Sequence, residues 1–233
     1  MTYIISDIHG QYGKYMKMLE KINFSDDDEL FVLGDIIDRG ENPIKVLTDM
    51  SMRENVFPLL GNHELMAIRI LNKLCVEITE ENYAKQLDIT TLMGLNLWQL
   101  DGGDTTLKEF KALDKEEKFA IIDYIKDFAH YDELSVNGKE FILVHGGIPY
   151  EKKDIPLYEQ DIKELVTERP DYNKIYFKDK FLVTGHTPTQ NISSDLGGRI
   201  LIQNNHIAID CGAGFGGSLG CLRLDDFNEY YVE

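Results

Sequence analysis

The chain has 233 residues, of which 43% are hydrophobic and 28% charged, and its formal net charge at pH 7 is −17. This length permits one α/β domain with a sizeable core. So acidic a balance argues against DNA or RNA as the main partner, because phosphate backbones demand a basic face. We therefore expect a single domain over residues 1–233 and no nucleic-acid partner.

Cysteine usage and hydropathy predict a cytoplasmic protein. The three cysteines form neither a CxxC pair nor an even disulfide framework, as is typical of a reducing compartment; they are Cys75, Cys211 and Cys221. The first predicted strand begins almost at Met1, which leaves no room for a signal peptide. No apolar run approaches the length of a membrane span. We expect no membrane partner.

Five short apolar stretches, taken in chain order, each lead into a polar motif. The motifs are Asp7-Ile8-His9, Gly34-Asp35-Ile36-Ile37-Asp38-Arg39-Gly40, Gly61-Asn62-His63-Glu64, His145-Gly146-Gly147 and Gly185-His186-Thr187. Apolar runs of this length predict buried strands, and the strands of one sheet bring their ends together at one edge. Oxygen and imidazole ligands gathered there suit a hard or borderline divalent metal rather than a thiolate site.

Helical patterns separate the first three of these strands. Apolar side chains recur at helical spacing from Tyr12 to Ile22, Asn42-Pro43 is a good helix start, and a further helix is predicted over Glu64–Leu74. Strand, loop and helix thus alternate three times, which predicts βαβ units and parallel strands.

The remainder of the chain departs from this alternation. Residues 75–130 are predicted to form a helical insertion beside the site. Its clearest helix is Asp114–Ala129, with a capping box and an apolar face of Phe119, Ile122, Ile125 and Phe128. Asn137-Gly138 predicts a hairpin that makes the sheet mixed. The last predicted strands, expected to be antiparallel, are Arg199–Gln203, His206–Asp210 and Gly220–Leu224.

Together the motifs D-x-H, G-D-x-x-D-R-G, G-N-H-E, H-G-G and G-H-T, spread over residues 7–187, resemble those of a known family. They look like the phosphoprotein phosphatase branch of the calcineurin-like metallophosphoesterases, in particular the short bacterial and bacteriophage serine/threonine phosphatases. The resemblance implies an α/β (α+β) fold, a β-sandwich of mixed sheets flanked by helices, with the helical insertion at about 75–130.

The resemblance also implies a dinuclear metal centre. Its first ion would be held by Asp7, His9 and Asp35; Asp35 would bridge to a second ion held by Asn62, His145 and His186. The ions would be Mn²⁺, with Fe and Zn²⁺ as alternatives that the same ligands accept. Attack by a bridging hydroxide is the reaction that this arrangement implies in the family.

The catalytic side chains follow from the same resemblance. Arg39 would bind the phosphoryl oxygens, for which its planar fork suits it, and Arg169 would help, although Thr167 stands where the family commonly has an aromatic residue. His63 would protonate the leaving group while Asp38 accepts its other N–H. His130 and His206 lie outside every motif and are interpreted as structural or surface residues.

One further stretch is similar to the bacterial phosphatases. Trp98 with Gly102-Gly103-Asp104-Thr105 would lie near the substrate; the ordinary alternative is a turn with an N-cap at Asp104. The glycines between Gly212 and Gly217 imitate a phosphate loop, but no helical pattern follows them, so a flexible hairpin connection is the better interpretation.

The substrate expected from these residues is a phosphomonoester, since Pro188 stands where the phosphodiesterase branches of the superfamily usually carry a further metal-binding His. A protein serine/threonine phosphatase is the main hypothesis, with phosphotyrosine left open and a phosphorylated protein or peptide as partner. The alternative is a dinucleoside tetraphosphate hydrolase, and a third hypothesis is a catalytically silent binding module. The segments Asp101–Thr106 and Glu168–Tyr172 offer only Arg169 as a cation, so a phosphopeptide is expected to be the better substrate.

Overall fold

A computed structural model describes residues 1–76 and 88–233. The helices are α1 (Tyr12–Lys21), α2 (Pro43–Ser51), α3 (Asn62–Leu74), α4 (Ile89–Trp98), α5 (Asp104–Ala112), α6 (Lys115–Lys126), α7 (Ile162–Thr167) and α8 (Thr189–Ile192). The strands are β1 (Thr2–Ile5), β2 (Glu29–Val32), β3 (Val56–Pro58), β4 (Tyr131–Val136), β5 (Lys139–Val144), β6 (Lys180–Thr184), β7 (Leu201–Gln203), β8 (His206–Ala208), β9 (Leu219–Arg223) and β10 (Asn228–Val232).

The first sheet has the strand order β10-β9-β1-β2-β3. Strands β1, β2 and β3 are parallel, with Ile4 opposite Phe31, so the predicted βαβ units are confirmed. Strands β9 and β10 extend the sheet in antiparallel register. Strand β10 was not predicted, because its alternating pattern is weak: only Val232 at its end is buried.

The second sheet has the order β4-β5-β6-β8-β7. The predicted hairpin turn is confirmed between β4 and β5, where Asn137 and Gly138 have φ of 50° and 76°, the left-handed pair that a two-residue turn requires. The expectation that the last strands are all antiparallel is wrong for β8, which runs parallel to β6. The chain crosses over through α8 and β7 before it enters β8, so this connection is a crossover and not a hairpin.

The two sheets face each other across an apolar core. Ile4, Phe31 and Leu33 project from the first sheet toward Phe141 and Leu143 of the second. A larger cluster lies between the first sheet and helices α1 to α6, and a smaller one lies between the second sheet and α7. The predicted fold class, a sandwich of mixed sheets flanked by helices, is confirmed.

The predicted insertion is helical where the structure describes it, in α4, α5 and α6; its residues 77–87 lie outside the described part. The capping box is confirmed: the Glu117 amide donates to Asp114 Oδ1 at 2.9 Å, and the Asp114 amide to Glu117 Oε2 at 2.8 Å. Phe119, however, is 44% exposed. The buried stripe of α6 is centred on Ile121 and Ile125, and at 3.6 residues per turn Phe119 lies well outside it. Within the described residues, no helix has both the length and the apolar character needed to cross a bilayer.

Candidate metal centre and active site

The ends of β1, β2, β5 and β6 and the start of α3 meet at one edge of the sandwich, and this convergence brings the predicted ligand residues together. Two clusters of ligand atoms result, each with its atoms within 4.8 Å of one another: His9, Asp35 and His63, and Asp35, His145 and His186. Asp35 belongs to both, the position expected of a bridging carboxylate. Asn62 adjoins the second cluster, with Oδ1 3.0 Å from His145 Nε2.

The two clusters differ from the predicted ligand set at two residues. His63 is a member of the first cluster, although the sequence indicated a proton donor at this position, and Asp7 is a member of neither. Asp7 is nevertheless buried beside them, where one carboxylate oxygen accepts the His186 amide at 3.0 Å and also bonds the Ser6 hydroxyl.

Two imidazoles are oriented by backbone carbonyls. His9 Nδ1 lies 3.0 Å from the Ile37 carbonyl, and His145 Nδ1 lies 2.5 Å from the Leu33 carbonyl. A carbonyl can only accept, so Nδ1 carries a proton in each ring, and Nε2 is the nitrogen that faces the cluster. Fixing the tautomer from behind in this way is what ligating histidines normally require.

Three carboxylates are buried together at this edge, and one of them has an oxygen without a partner among the described residues. Asp7, Asp35 and Asp210 are each 3% exposed or less, and Asp7 Oδ1 has no hydrogen-bond partner. Burial and the neighbouring Asp210 hold the pKa of Asp7 well above its usual range, whereas histidines, led by His145, outweigh burial and keep the pKa of Asp35 well below it. A divalent cation would stabilise the ionised form of Asp7 and give its free oxygen a partner, so the residues present fit a metal centre.

The backbone at the site is strained. Of the eleven non-glycine residues with positive φ in the described chain, six are predicted site residues: Asp7, His9, Asp35, Asp38, Arg39 and His186. Left-handed backbone is uncommon outside glycine and, where the fold enforces it, clusters at functional sites. Gly61 permits a close approach of the backbone, since a Cβ there would collide with the Asp35 amide and carboxylate.

His63 is paired with Asp38 at 2.6 Å between Nδ1 and Oδ2. The fully buried Asp38 is itself fixed by the Trp98 indole N–H at 2.7 Å and the Thr106 hydroxyl at 2.5 Å. Burial alone lowers the pKa of His63, but Asp35 and Asp38 outweigh it and raise that pKa to about 9. The two carboxylates thus favour the protonated imidazole, the form that a proton donor requires.

Arg39 spans the mouth of the cluster. Its guanidinium lies 2.6 Å from His9 Nε2, 3.0 Å from His63 Nε2 and 2.9 Å from the Asp101 carboxylate. It also lies 4.4 Å from the centre of the Phe215 ring. A cavity of about 250 Å³ opens beside it; the lining includes the predicted second arginine, Arg169, and the metal-cluster residue His186.

Some of these contacts were not anticipated from the sequence. Thr106 donates a hydrogen bond to Asp38, and Asp104 is the first residue of α5 and not its N-cap. Asp101 and Phe215 were not singled out, since they carry no motif of their own. Glu64 was available from the G-N-H-E motif and proves to be structural: its carboxylate accepts four backbone N–H groups around the cluster. Of the other histidines, His130 is exposed and His206 is buried away from the cluster.

Comparison with known proteins decides the family. A model described as calcineurin-like phosphoesterase matches residues 2–211. The chain belongs to the calcineurin-like phosphoesterase family. The family predicted from the motifs is therefore confirmed, and with it phosphoester hydrolysis as the general activity.

Similar proteins include enzymes of two substrate classes. The asymmetrical bis(5'-nucleosyl)-tetraphosphatase PrpE of Halalkalibacterium halodurans is 25% identical over 96% of this chain and 89% of its own. Serine/threonine-protein phosphatase 2 of Salmonella typhimurium is 26% identical over 65% of this chain and 61% of its own. A crystal structure provisionally described as a diadenosine tetraphosphatase covers 99% of this chain and 92% of that one, with a TM-score of 0.68 and 16% identity. Likeness at that identity shows the fold alone.

Proposed function

We propose that this phosphoesterase hydrolyses dinucleoside tetraphosphates at a dinuclear metal centre. The proposal replaces the protein phosphatase hypothesis as the main one. The preference for a phosphopeptide over a dinucleoside tetraphosphate was argued from a shortage of cations near the site, where only Arg169 accompanied Arg39. The observation that carries the proposal is a second cavity adjoining the site, which is lined by Arg69, Lys73 and Lys163. A long polyanion therefore finds positive charge beyond the phosphoryl group that reacts.

The relatives support the same substrate class. The Halalkalibacterium tetraphosphatase aligns along nearly the whole of both chains, whereas the Salmonella protein phosphatase aligns over about two thirds of this one. Following the first relative, we expect asymmetrical cleavage, which yields one nucleoside monophosphate and one nucleoside triphosphate.

The metal centre in this proposal is held by Asp7, His9, Asp35, Asn62, His145 and His186, with His63 kept as proton donor. Two divalent ions bound there, Mn²⁺ in our proposal, supply Lewis acidity and an activated water for attack on phosphorus. The protein contributes the buried, pre-oriented ligand shell and excludes bulk water from it.

The remaining side chains act on the substrate directly. Arg39 and Arg169 bind the non-bridging oxygens of the phosphoryl group, since both line the cavity beside the cluster. His63 donates a proton to the leaving oxygen, and Asp38 fixes the ring and stabilises its charged form. Trp98 and Thr106 hold the Asp38 carboxylate in this position through their hydrogen bonds.

A protein phosphatase is the second candidate. The similarity to the Salmonella enzyme favours it, as does a reaction cavity of about 250 Å³, which accommodates a single phosphoryl group without requiring a nucleotide. Phosphoserine, phosphothreonine and phosphotyrosine peptides represent this class.

Rates on a matched substrate panel test the proposal. We would measure kcat/KM for diadenosine tetraphosphate and for the three phosphopeptides with Mn²⁺, Fe²⁺ or Zn²⁺ at one salt concentration, and separate the nucleotide products by chromatography. We expect the dinucleotide to be preferred and to give AMP and ATP. A clear preference for a phosphopeptide would overturn the proposal in favour of the second candidate.

A further inference from the structure

A groove of about 670 Å³ runs between helices α3, α4 and α7. It adjoins the reaction cavity, because Asn62 and Asp101 line both. A molecule held at the metal cluster can therefore extend into the groove without leaving the protein surface. Its volume lies in the range of about 300–1,000 Å³ that is usual for small-molecule sites.

The groove has an apolar floor. Leu65, Met66 and Ile70 form the α3 side, and Gly94 and Leu97 form the α4 side. Leu97 is 61% exposed, and Gly94 lets α4 pack closely against α3, because a Cβ there would meet Ile70 Cδ1 at 3.3 Å. Apolar linings are usual in small-molecule sites, and a nucleobase offers an apolar ring face to such a surface.

The rim of the groove carries charge opposite to that of the chain as a whole. Three cations line it, Arg69, Lys73 and Lys163, against one carboxylate, Asp101, in a protein with a net charge of −17. Asp101 is neutralised by Arg39 at 2.9 Å, and Lys73 is paired with Asp88 at 2.9 Å. Lys163 is exposed, and the Asp161 carboxylate accepts its backbone N–H at 2.8 Å rather than pairing with its ammonium group. The local field therefore favours an anion.

We propose that this groove is a nucleotide subsite, which holds one nucleoside of the dinucleoside polyphosphate and the phosphates nearest to it. The inference rests on the proposed function and assigns the substrate's orientation. The base lies on the apolar floor between Met66 and Leu97. Arg69 and Lys163 contact the phosphates between that nucleoside and the reacting phosphorus, which stays at the metal cluster near Asn62.

Filling the groove tests the assignment. Gly94→Phe places a ring where the base would lie, and Gly94→Ala is the matched control, because its methyl group meets only the end of the Ile70 side chain at 3.3 Å. We expect Gly94→Phe to raise KM for diadenosine tetraphosphate by about tenfold or more with kcat little changed, the pattern of lost uniform binding. The reference substrate is p-nitrophenyl phosphate, which is too short to reach the groove, and its kcat/KM should not change.

A surface variant covers the case in which Gly94→Phe fails to fold or lowers both activities. Lys163→Gln should raise KM for the tetraphosphate and leave the aryl phosphate unaffected. Lys17→Gln is its control, an exposed lysine that lines a different cavity. If the tetraphosphate KM of Gly94→Phe and Lys163→Gln equals that of the controls, the subsite is overturned.

Equilibrium binding separates this inference from the proposed function. A non-hydrolysable methylene-bridged analogue of diadenosine tetraphosphate would be titrated calorimetrically into the metal-loaded wild type and Gly94→Phe. If the wild type binds the analogue, Gly94→Phe binds it at least tenfold more weakly, and the natural dinucleotide is not hydrolysed, the subsite holds while the proposed function fails. Absence of analogue binding to the wild type, or equal binding by both proteins, overturns the subsite.

Discussion

The Glu64 carboxylate accepts the Asp35 backbone N–H at 2.9 Å. The same carboxylate accepts the amides of Ile36 at 2.9 Å, Ile37 at 3.1 Å and Gly61 at 3.0 Å. Glu64 is completely buried, so these bonds are not exchanged with water. They fix the left-handed turn from which the Asp35 side chain reaches both clusters of ligand atoms.

Removal of Glu64 should therefore weaken metal binding without removing a ligand. We expect Glu64→Ala to lower metal affinity about 10–100-fold, the usual effect of losing support behind a ligand. Four buried amides would also lose their acceptor, so the free energy of unfolding should fall. Metal titration and urea unfolding measure the two effects.

The control for this prediction is Glu109→Ala. Glu109 also accepts a backbone amide, that of Ile44 at 2.9 Å, on helix α2 away from the cluster. This variant should be somewhat less stable but bind metal as the wild type does. Equal metal affinity in Glu64→Ala and the wild type would show that the turn holds Asp35 without Glu64.

Asp35 itself should be indispensable. Asp35 belongs to both clusters of ligand atoms. Asp35→Asn therefore removes a negatively charged ligand from both metal sites at once. We expect metal content and hydrolysis to fall together almost to background, measured by elemental analysis and by steady-state rates. Asp27→Asn, in an exposed turn, is the control. Full metal occupancy with undiminished activity in Asp35→Asn would refute the bridging role.

The side chains that follow strands could be predicted from the sequence because local order determines them. An apolar strand that ends in Asp or His places that side chain at the sheet edge, and β1, β2, β5 and β6 do so. Asn62 and His63 follow β3 at the start of α3 in the same way. The family motifs then suggested which side chains contact metal and which contact substrate.

The contacts that the sequence did not reveal are made across long distances in the chain. Thr106 and Trp98 reach Asp38 from the helical insertion, over 60 residues or more, and neither spacing nor periodicity encodes such a contact. The cations of the groove were missed for the same reason. In the sequence, Arg69 and Lys163 look like exposed residues on two separate helices. Only the packing of α3 near α7 places them at one groove.

The role of His63 should depend on the leaving group. We expect His63→Asn to reduce the rate by roughly 10²–10⁴-fold on a phosphoserine peptide, whose alkoxide must be protonated as it leaves. The loss should be smaller for an aryl phosphate and for diadenosine tetraphosphate, because a phenolate and a nucleotide phosphate leave with less assistance. Rates on the three substrates, each compared with the wild type, give the dependence.

Metal content decides whether His63 is also a ligand. If His63→Asn retains both ions, the proton-donor role stands even though the imidazole belongs to one cluster of ligand atoms. Loss of an ion in this variant would make His63 a ligand. Asp38→Asn is the companion variant, since it keeps the size of the side chain while removing the charge that faces His63 Nδ1 at 2.6 Å.

His206 should make the fold sensitive to acid. It is 1% exposed, lies between Tyr172 and Tyr176, and has one hydrogen bond, at 3.0 Å between Nε2 and the Thr184 hydroxyl, while Nδ1 has none. Burial lowers the pKa of His206 to about 3 from its ordinary value of 6.5. In the unfolded chain the imidazole becomes protonated below about pH 6.5, whereas in the folded chain it stays neutral down to about pH 3. Between these two pH values protons bind preferentially to the unfolded chain, so the free energy of unfolding falls on acidification.

The loss attributable to His206 between pH 7 and pH 5 should be about 2 kcal/mol, from roughly 1.36 kcal/mol per pH unit below the unfolded-state pKa. His206→Phe keeps the aromatic packing but cannot be protonated, so its free energy of unfolding should fall by about that much less over the same interval. Urea titrations of both proteins at pH 7 and pH 5 measure this effect. The buried histidines of the metal site contribute equally to both proteins, so their contributions cancel in the comparison. His130→Phe replaces an exposed histidine and should keep the pH dependence of the wild type. If His206→Phe lost as much stability on acidification as the wild type, the buried imidazole would not be a source of the acid sensitivity.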